Sequence, residues 1–332
     1  MPSPPDTATG EPPNLRESVP PAREWASTFL IGLFMGSADA VPGVSGGTIA
    51  LIAGIYERLV TAITAVTPRR VVGFLAALVP FVGDGGFRDA VGVVEEVDGW
   101  FLLALLGGVV TAVVVVTRVV HWADRTHPVV LFGFFFGLIA ASAVVLLRAI
   151  TVRTAGAALA GVVGFLVAFL LSGATEVLTG GGLLVVFAAG TVSVSAMILP
   201  GISGSLLLVI LGQYTRLSAA LSRFVDGLVA AASGGALDTD AGTVVVTFVL
   251  GGLVGLVTVS RAVRAALDRN REATLAFLVA LVVGGLRAPV ERVREVGFSP
   301  TVLATFLGVA VVGAVAVLLL DWYAPDFEIE AI

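Results

Sequence analysis

The chain contains no lysine and no cysteine, and it carries few charged residues of any kind. The absence of cysteine excludes disulfides, thiolate metal sites and thiol nucleophiles. Charged residues make up 13% of the 332 residues, whereas a typical soluble domain has about 25%. So few charges cannot cover a water-exposed surface. The apolar content of 57% therefore indicates that lipid is the solvent for most of the protein.

Only two histidines are present, His121 and His127, both within the segment HWADRTH. The segment offers no thiolate and too few further ligands for a zinc site, so we predict no metal and no cofactor. No Walker loop is present, which excludes an ATP-driven motor of that class within this chain. Nothing in the pattern indicates nucleic-acid binding.

Apolar runs separated by polar segments predict an all-α, polytopic transmembrane bundle in the cell membrane. The Pro-rich polar segment 1–24 is expected to be a disordered tail, and the acidic segment 323–332 is expected to lie outside the membrane. Between them we place two transmembrane repeats, 25–153 and 154–322. The candidate membrane segments are 26–41, 44–66, 70–83, 100–120, 128–148, 154–171, 183–199, 202–222, 243–262, 272–290 and 300–320.

An internal repeat appears when the chain is shifted by 158 positions. Segment 38–59, ADAVPGVSGGTIALIAGIYERL, then aligns with segment 196–217, AMILPGISGSLLLVILGQYTRL, and ten of the 22 positions are identical. A second block, LLGGVV at 105–110, aligns with VLGGLV at 249–254 at an offset of 144. Shared Pro, Gly, Ser, Tyr and Arg in one register indicate a duplication. If each half crosses the membrane an odd number of times, the halves are inverted, as in many secondary transporters.

Each repeat carries a Pro-Gly-x-Ser-Gly motif inside an apolar segment. Proline removes a backbone donor and glycine permits unusual backbone angles, so three such residues within six predict an interrupted or re-entrant helix. Unwound backbone at membrane depth is tolerated only where protein or a water-filled cavity surrounds it. Free N–H groups and hydroxyls at two opposed interruptions predict one anion site near the midplane. Alternatively, each motif simply kinks a packed helix that its serine caps.

Charged and phenolic side chains flank the motifs. Asp39 is ionisable and lies inside an apolar run, which indicates either a proton-coupling or pocket-shaping role or a cap on the restarted helix. Its counterpart in the second repeat is Met197. Arg58 and Arg216 either anchor the chain at the membrane surface or attract a phosphate head group, and the two repeated tyrosines are interpreted as interface anchors. The predicted substrate-binding residues are Asp39, Pro42, Gly43, Ser45, Gly46, Gly47, Thr48, Arg58, Pro200, Gly201, Ser203, Gly204, Ser205 and Arg216.

The two motif segments resemble the polyprenyl-phosphate transporter family, which was long catalogued only as a domain of unknown function. The resemblance rests on GSADAVPGVSGGTIALIAGIYERL (36–59) and SAMILPGISGSLLLVILGQYTRL (195–217) and extends more loosely over 25–322. It implies translocation of a lipid-linked phosphate carrier, such as undecaprenyl phosphate, for reuse in envelope or glycan synthesis. A dolichyl-type phosphate is the expected counterpart in an archaeal source, to which the lysine-free acidic composition points.

Three functions remain open from the residues themselves. The first is a lipid-phosphate transporter, driven by a proton or sodium gradient, whose substrate leaves its prenyl tail among the membrane lipids. The second is a transporter or channel for a small anion or another soluble solute, which could use the same site. The third is a membrane lipid phosphatase, but that enzyme class needs a histidine beside its serine motif, and neither histidine lies near a motif. We therefore expect a non-enzyme.

Overall fold

The computed structural model describes residues 19–65, 67, 70, 87–174, 181–197 and 203–323. The regular secondary structure of these residues is helical throughout, as predicted. All of the predicted run 70–83 except residue 70, and most of the two tails, lie outside the described residues. The helices are α1 (Ala22–Ala40), α2 (Gly46–Ile52), α3 (Tyr56–Ala65), α4 (Phe87–Glu96), α5 (Gly99–Thr126), α6 (Pro128–Ala149), α7 (Ala155–Gly173), α8 (Leu183–Ala196), α9 (Gly204–Ile210), α10 (Tyr214–Ala232), α11 (Thr239–Gly285), α12 (Arg287–Val296) and α13 (Pro300–Tyr323).

Five stretches of described helix are long and apolar enough to cross a membrane, which makes the chain a multi-pass integral membrane protein. The runs 44–66 and 202–222 are not single straight helices. Each is a pair of helices with a sharp bend, 118° between α2 and α3 and 114° between α9 and α10. If each bent pair is counted as one span, the described residues hold up to seven spans. The bends therefore confirm the predicted broken helix pairs.

The two bends are built in the same way. Gly54 and Gly212 follow α2 and α9 with φ values of 69° and 64°, a left-handed conformation that favours glycine at the end of a helix. In both repeats the N–H of this glycine and the N–H of the next residue donate hydrogen bonds to carbonyls of the short helix, which ends there. The paired hydrogen bonds are Gly54 to Leu51, Ile55 to Ala50, Gly212 to Val209 and Gln213 to Leu208, all at the 158-residue offset.

Glycines let the long helices pack in close pairs. A Cβ at Gly36 of α1 would lie 2.5 Å from the Val109 carbonyl oxygen of α5, and comparable contacts join α8 to α11, α6 to α13 and α7 to α11. Small residues at such interfaces are the usual means of close helix packing in membranes, where no hydrophobic effect drives the helices together. The pattern explains how a chain that is apolar on most faces still selects specific neighbours.

Helix α5 has 28 residues and spans about 42 Å, so its termini mark the two ends of the bundle. At its start, Asp98 binds Arg58 of α3, which also reaches Glu24 of α1. We call this the Asp98 end. Near its other terminus, Asp124 pairs with Arg292 of α12 at 3.2 Å, which defines the Asp124 end. Helix α11 is interrupted at Asn270, where φ is −157° and ψ is 87°.

Candidate functional site

The first Pro-Gly motif interrupts the helix, as predicted. Helix α1 ends at Ala40 and α2 begins at Gly46. Pro42 is fully buried between them, and Gly43 adopts a φ of 91°, which an L side chain rarely tolerates. Ser45 is the residue directly before α2, with extended backbone angles and no hydrogen bond from its side chain to the helix start. The interruption therefore leaves non-helical backbone deep in an apolar environment.

Asp39 caps the restarted helix. Its Oδ1 accepts a 2.7 Å hydrogen bond from the N–H of Gly46, seven residues further along the chain. A Cβ at Gly46 would collide with the Asp39 carboxylate and with the Met35 carbonyl oxygen, 2.8 Å away, so glycine is needed for this approach. Because the carboxylate already occupies the Gly46 N–H, that N–H is not available to a second anion in this arrangement.

Helix α6 holds the interruption from the other side. The Ser142 hydroxyl donates to the carbonyl of Gly43 and also contacts the carbonyl of Leu138 one turn earlier. A Cβ at Gly43 would lie 3.1 Å from the Leu138 backbone and from the Ser142 hydroxyl oxygen. The glycine therefore serves both the left-handed turn and the contact with α6. Ser142 lies outside both motifs, and sequence reasoning did not identify it.

The second motif is partly described. Helix α8 ends at Ala196 and α9 begins at Gly204, so no single helix runs through the motif. Pro200 and Gly201 lie outside the described residues. The hydroxyls of Ser203 and Ser205 are 2.7 Å apart and bond to each other, and both residues are buried, with 4% and 6% of their surface exposed.

The polar groups beside the two interruptions are placed differently. Positions 35 and 39 of the first repeat hold Met and Asp, whereas the matching positions 193 and 197 hold Ser and Met. Ser193 and Met197 both contact Gly204, through a carbonyl oxygen and a thioether. The Ser193 hydroxyl is buried and has no hydrogen-bond partner. The start of α9 thus carries a buried pair of hydroxyls, Ser203 and Ser205, and no carboxylate stands at the position that matches Asp39. Ser193 was not predicted, although the 158-residue alignment places it opposite Met35.

The first interruption packs against the second repeat. Val44 joins an apolar cluster that includes Val209 of α9 and Tyr214 of α10. On the same helix α6 that binds Gly43, Ile139 and neighbouring residues pack against Leu206 at the start of α9. Helix α6 therefore contacts both motif regions.

The two repeated arginines have different surroundings. Arg58 lies at the exposed Asp98 end, where it pairs with Asp98 at 2.6 Å and stacks over the Phe101 ring. Arg216 is half-buried and donates to the Gly181 carbonyl at 2.7 Å and to the Gln213 side chain at 3.3 Å. Each arginine follows a sharp bend, Arg58 after the one between α2 and α3 and Arg216 after the one between α9 and α10. Arg58 thus bonds to Asp98 and Glu24, and Arg216 bonds to Gly181 and Gln213, none of which belongs to a motif.

The two repeated tyrosines also differ, and one of them departs from the expected interface position. Tyr56 is 43% exposed, in keeping with an interface anchor, but Tyr214 is only 5% exposed. Its hydroxyl donates to the carbonyl of Ala40, the last residue of α1.

Among the described residues, no cluster of three or more His, Asp or Glu side chains is arranged to hold a metal ion.

Comparison with known proteins places the chain beside membrane transporters. Residues 35–318 match the family described as VCA0040-like, undecaprenyl phosphate translocase-like. The polyprenyl-phosphate transporter of Vibrio cholerae is 33% identical over 262 residues, which cover 79% of this chain and 76% of that protein. The polyprenyl-phosphate transporter of Staphylococcus aureus is 28% identical over 272 residues, or 78% and 84% of the two chains. No solved structure is significantly similar.

Proposed function

Because the chain belongs to the undecaprenyl phosphate translocase-like family, we propose that it carries a polyprenyl phosphate across the membrane and that the two interrupted helices bind the phosphate. The relatives named above are both polyprenyl-phosphate transporters. The observation that carries the proposal is the pair of breaks in apolar helices, one between Ala40 and Gly46 and one between Ala196 and Gly204, with hydroxyls and one carboxylate beside them. Such groups are costly in lipid and mark substrate pathways. The prenyl chain stays among the surrounding lipids.

The donors for the phosphate are side-chain hydroxyls and motif backbone. Ser45 and Thr48 are half-buried and therefore reachable at the first interruption, while Ser203 and Ser205 form a buried pair at the second. Hydrogen bonds to a charged group are worth about 1.5–3 kcal/mol each. The Asp39 carboxylate opposes a phosphate nearby, because two anions repel each other in a low dielectric. A proton or a sodium ion at Asp39 would relieve this repulsion, which supports coupling to an ion gradient.

We further propose that the two repeats are inverted in the membrane. Helix α1 begins at the Asp98 end, where Glu24 lies. Helix α8 runs alongside the first part of α11, with Phe187 against Gly251 and Thr191 against Gly255. The start of α11 packs at Asp238 against Gly227 of α10, next to the Asp226 side chain that pairs with Arg118 late in α5. These contacts support a start of α8 at the Asp124 end.

Single-cysteine labelling tests the inverted arrangement, and the chain needs no cysteine removed beforehand. We expect Arg23→Cys at the start of α1 and Gly182→Cys just before α8 to react with a membrane-impermeant maleimide from opposite sides of sealed vesicles. Arg153→Cys should be labelled from the same side as Arg23→Cys, and Ser233→Cys from the same side as Gly182→Cys. All four positions are exposed. Labelling of Arg23→Cys and Gly182→Cys from the same side would rule out inversion.

Removing one hydroxyl from each motif tests the phosphate site. In liposomes with a labelled polyprenyl phosphate, we expect Ser45→Ala/Ser203→Ala to reduce the initial translocation rate by roughly tenfold or more, because charge-assisted hydrogen bonds are lost. Ser233→Ala, at an exposed helix end, is the matched control and should transport normally. Undiminished transport in the double variant would remove the proposed site.

The same assay separates the alternative functions. Excess inorganic phosphate should compete poorly with the lipid, because the prenyl chain concentrates the lipid's phosphate in the membrane. Strong competition would favour a small-anion carrier. Release of free phosphate from the lipid by the purified protein would indicate a phosphatase instead of a transporter.

A further inference from the structure

Tyr214 is buried in the bundle, whereas its counterpart in the first repeat, Tyr56, is exposed. It begins α10 immediately after the second bend, and its ring meets the ring of Phe135 on α6 edge-on, with centroids 5.4 Å apart. Tyr56, 158 residues earlier, begins α3 after the first bend but is 43% exposed. The identical residues therefore serve different purposes, and the burial of Tyr214 needs an explanation beyond interface anchoring.

The Tyr214 hydroxyl binds the backbone at the first interruption. It donates to the Ala40 carbonyl, two residues before Pro42. The last carbonyls of a helix have no N–H partner within that helix, and Pro42 prevents α1 from continuing far enough to supply one. In a membrane an unpaired carbonyl is costly, so a donor from elsewhere is required. Here the donor comes from the other repeat, which ties the second bend directly to the first interruption.

The surroundings of Tyr214 connect the same two regions. The ring borders a small cleft whose wall includes Phe132 of α6 and Gly212 of the bend. Arg292 also lines this cleft and pairs with Asp124 of α5. The phenol is therefore held by packing on one side and faces the cleft on the other, so its hydroxyl contact is the specific link to α1.

We infer that Tyr214 is a positioning residue for the first interruption, and that it presents the backbone around Gly43 and the half-buried donors Ser45 and Thr48 in a geometry suited to phosphate. This inference rests on the proposed function. Binding is tighter when the site is already ordered, because less entropy is lost on association. Tyr214 does not touch the substrate in this scheme. It acts through Ala40, which it fixes by one hydrogen bond.

Tyr214→Phe removes the hydroxyl and keeps the ring, and Tyr56→Phe is the matched control in the first repeat. We expect Tyr214→Phe to raise the half-saturating concentration of labelled polyprenyl phosphate about five- to tenfold, with little change in the maximal rate. Tyr56→Phe should leave both values unchanged. In the absence of substrate, hydrogen–deuterium exchange of peptides covering 41–48 should become faster in Tyr214→Phe only, with melting temperatures in detergent close to wild type.

Three results would overturn the inference. One is a hydrogen–deuterium exchange rate across 41–48 that is the same in Tyr214→Phe as in the wild type. Another is faster exchange throughout the bundle with a lowered melting temperature, which would show a general packing role. The third is local loosening without any change in half-saturation, which would separate the hydrogen bond from substrate binding. If wild-type protein neither binds nor moves polyprenyl phosphate, the proposed function fails. The substrate-free exchange data would still show whether Tyr214 orders this segment.

Discussion

Gly137→Ala should destabilise the protein severely, because α6 and α13 are in backbone contact at this position. A Cβ at Gly137 would overlap the Ala310 carbonyl group and lie 2.8 Å from the Ala310 Cα. Backbone cannot move aside as a side-chain tip can, so the two helices must separate. Overpacking of this kind costs about 1–3 kcal/mol and sometimes more. We expect the melting temperature in detergent to fall by roughly 5–10 °C, or folded protein to be lost.

Gly308→Ala is the control for this prediction. Gly308 lies on α13, the other helix of the same pair, and a Cβ there would meet no atom within 4 Å. Alanine also has the better helix propensity, so Gly308→Ala should melt at or slightly above the wild-type temperature. Equal melting temperatures for Gly137→Ala and Gly308→Ala would show that the close contact between α6 and α13 does not exist as described.

Asp39→Ala should abolish most transport. It removes the acceptor of the Gly46 N–H and leaves that donor unpaired at the start of α2. Hydrogen bonds to charged groups contribute about 1.5–3 kcal/mol, so we expect the translocation rate to fall by roughly 10- to 100-fold. Met197→Ala, at the matching position of the second repeat, removes an apolar contact to Gly204 and should change the rate by about twofold or less.

Asp39→Asn distinguishes capping from charge. The asparagine oxygen can still accept from Gly46, but the side chain cannot take up a proton or bind sodium strongly. We expect Asp39→Asn to retain the wild-type melting temperature and to bind the substrate at least as tightly, because the repulsion between carboxylate and phosphate is gone. It should lose the acceleration of transport by an imposed proton or sodium gradient. Full gradient-driven transport in Asp39→Asn would eliminate Asp39 as the coupling residue and leave it the cap alone.

Much of the fold could be predicted because the membrane imposes local rules. A backbone that cannot bond to water must satisfy its N–H and C=O groups within the segment, so long apolar runs become helices whatever their neighbours are. The prediction of interrupted helix pairs is confirmed for the same reason, since Pro42 and Gly43 act on the backbone at their own positions. The sharp bends at Gly54 and Gly212 had a signal too: a glycine repeated in register with the following tyrosine.

The site was less predictable. The capping contact of Asp39 stood among the alternatives, and the structure shows it over only seven residues. The coupling role stays a prediction. Ser142 and Ser193 carry no comparable signal, because their importance depends on which distant segment packs against them. The duplicated motif also suggested equivalent roles for matching residues. Matching residues instead differ in burial and in partners. This holds for the arginines, Arg58 and Arg216, and for the tyrosines, Tyr56 and Tyr214.

The sequence by itself determined that this is a helical, multi-pass membrane protein with two interrupted, duplicated motifs and a family resemblance to lipid-phosphate transporters. These properties follow from composition, local backbone chemistry and internal alignment. Only the tertiary structure decided that Asp39 caps α2, that α6 contacts both motif regions, and that Tyr214 reaches the first interruption. Such contacts depend on how distant segments meet, and two repeats with the same residues are not bound to pack those residues against the same neighbours.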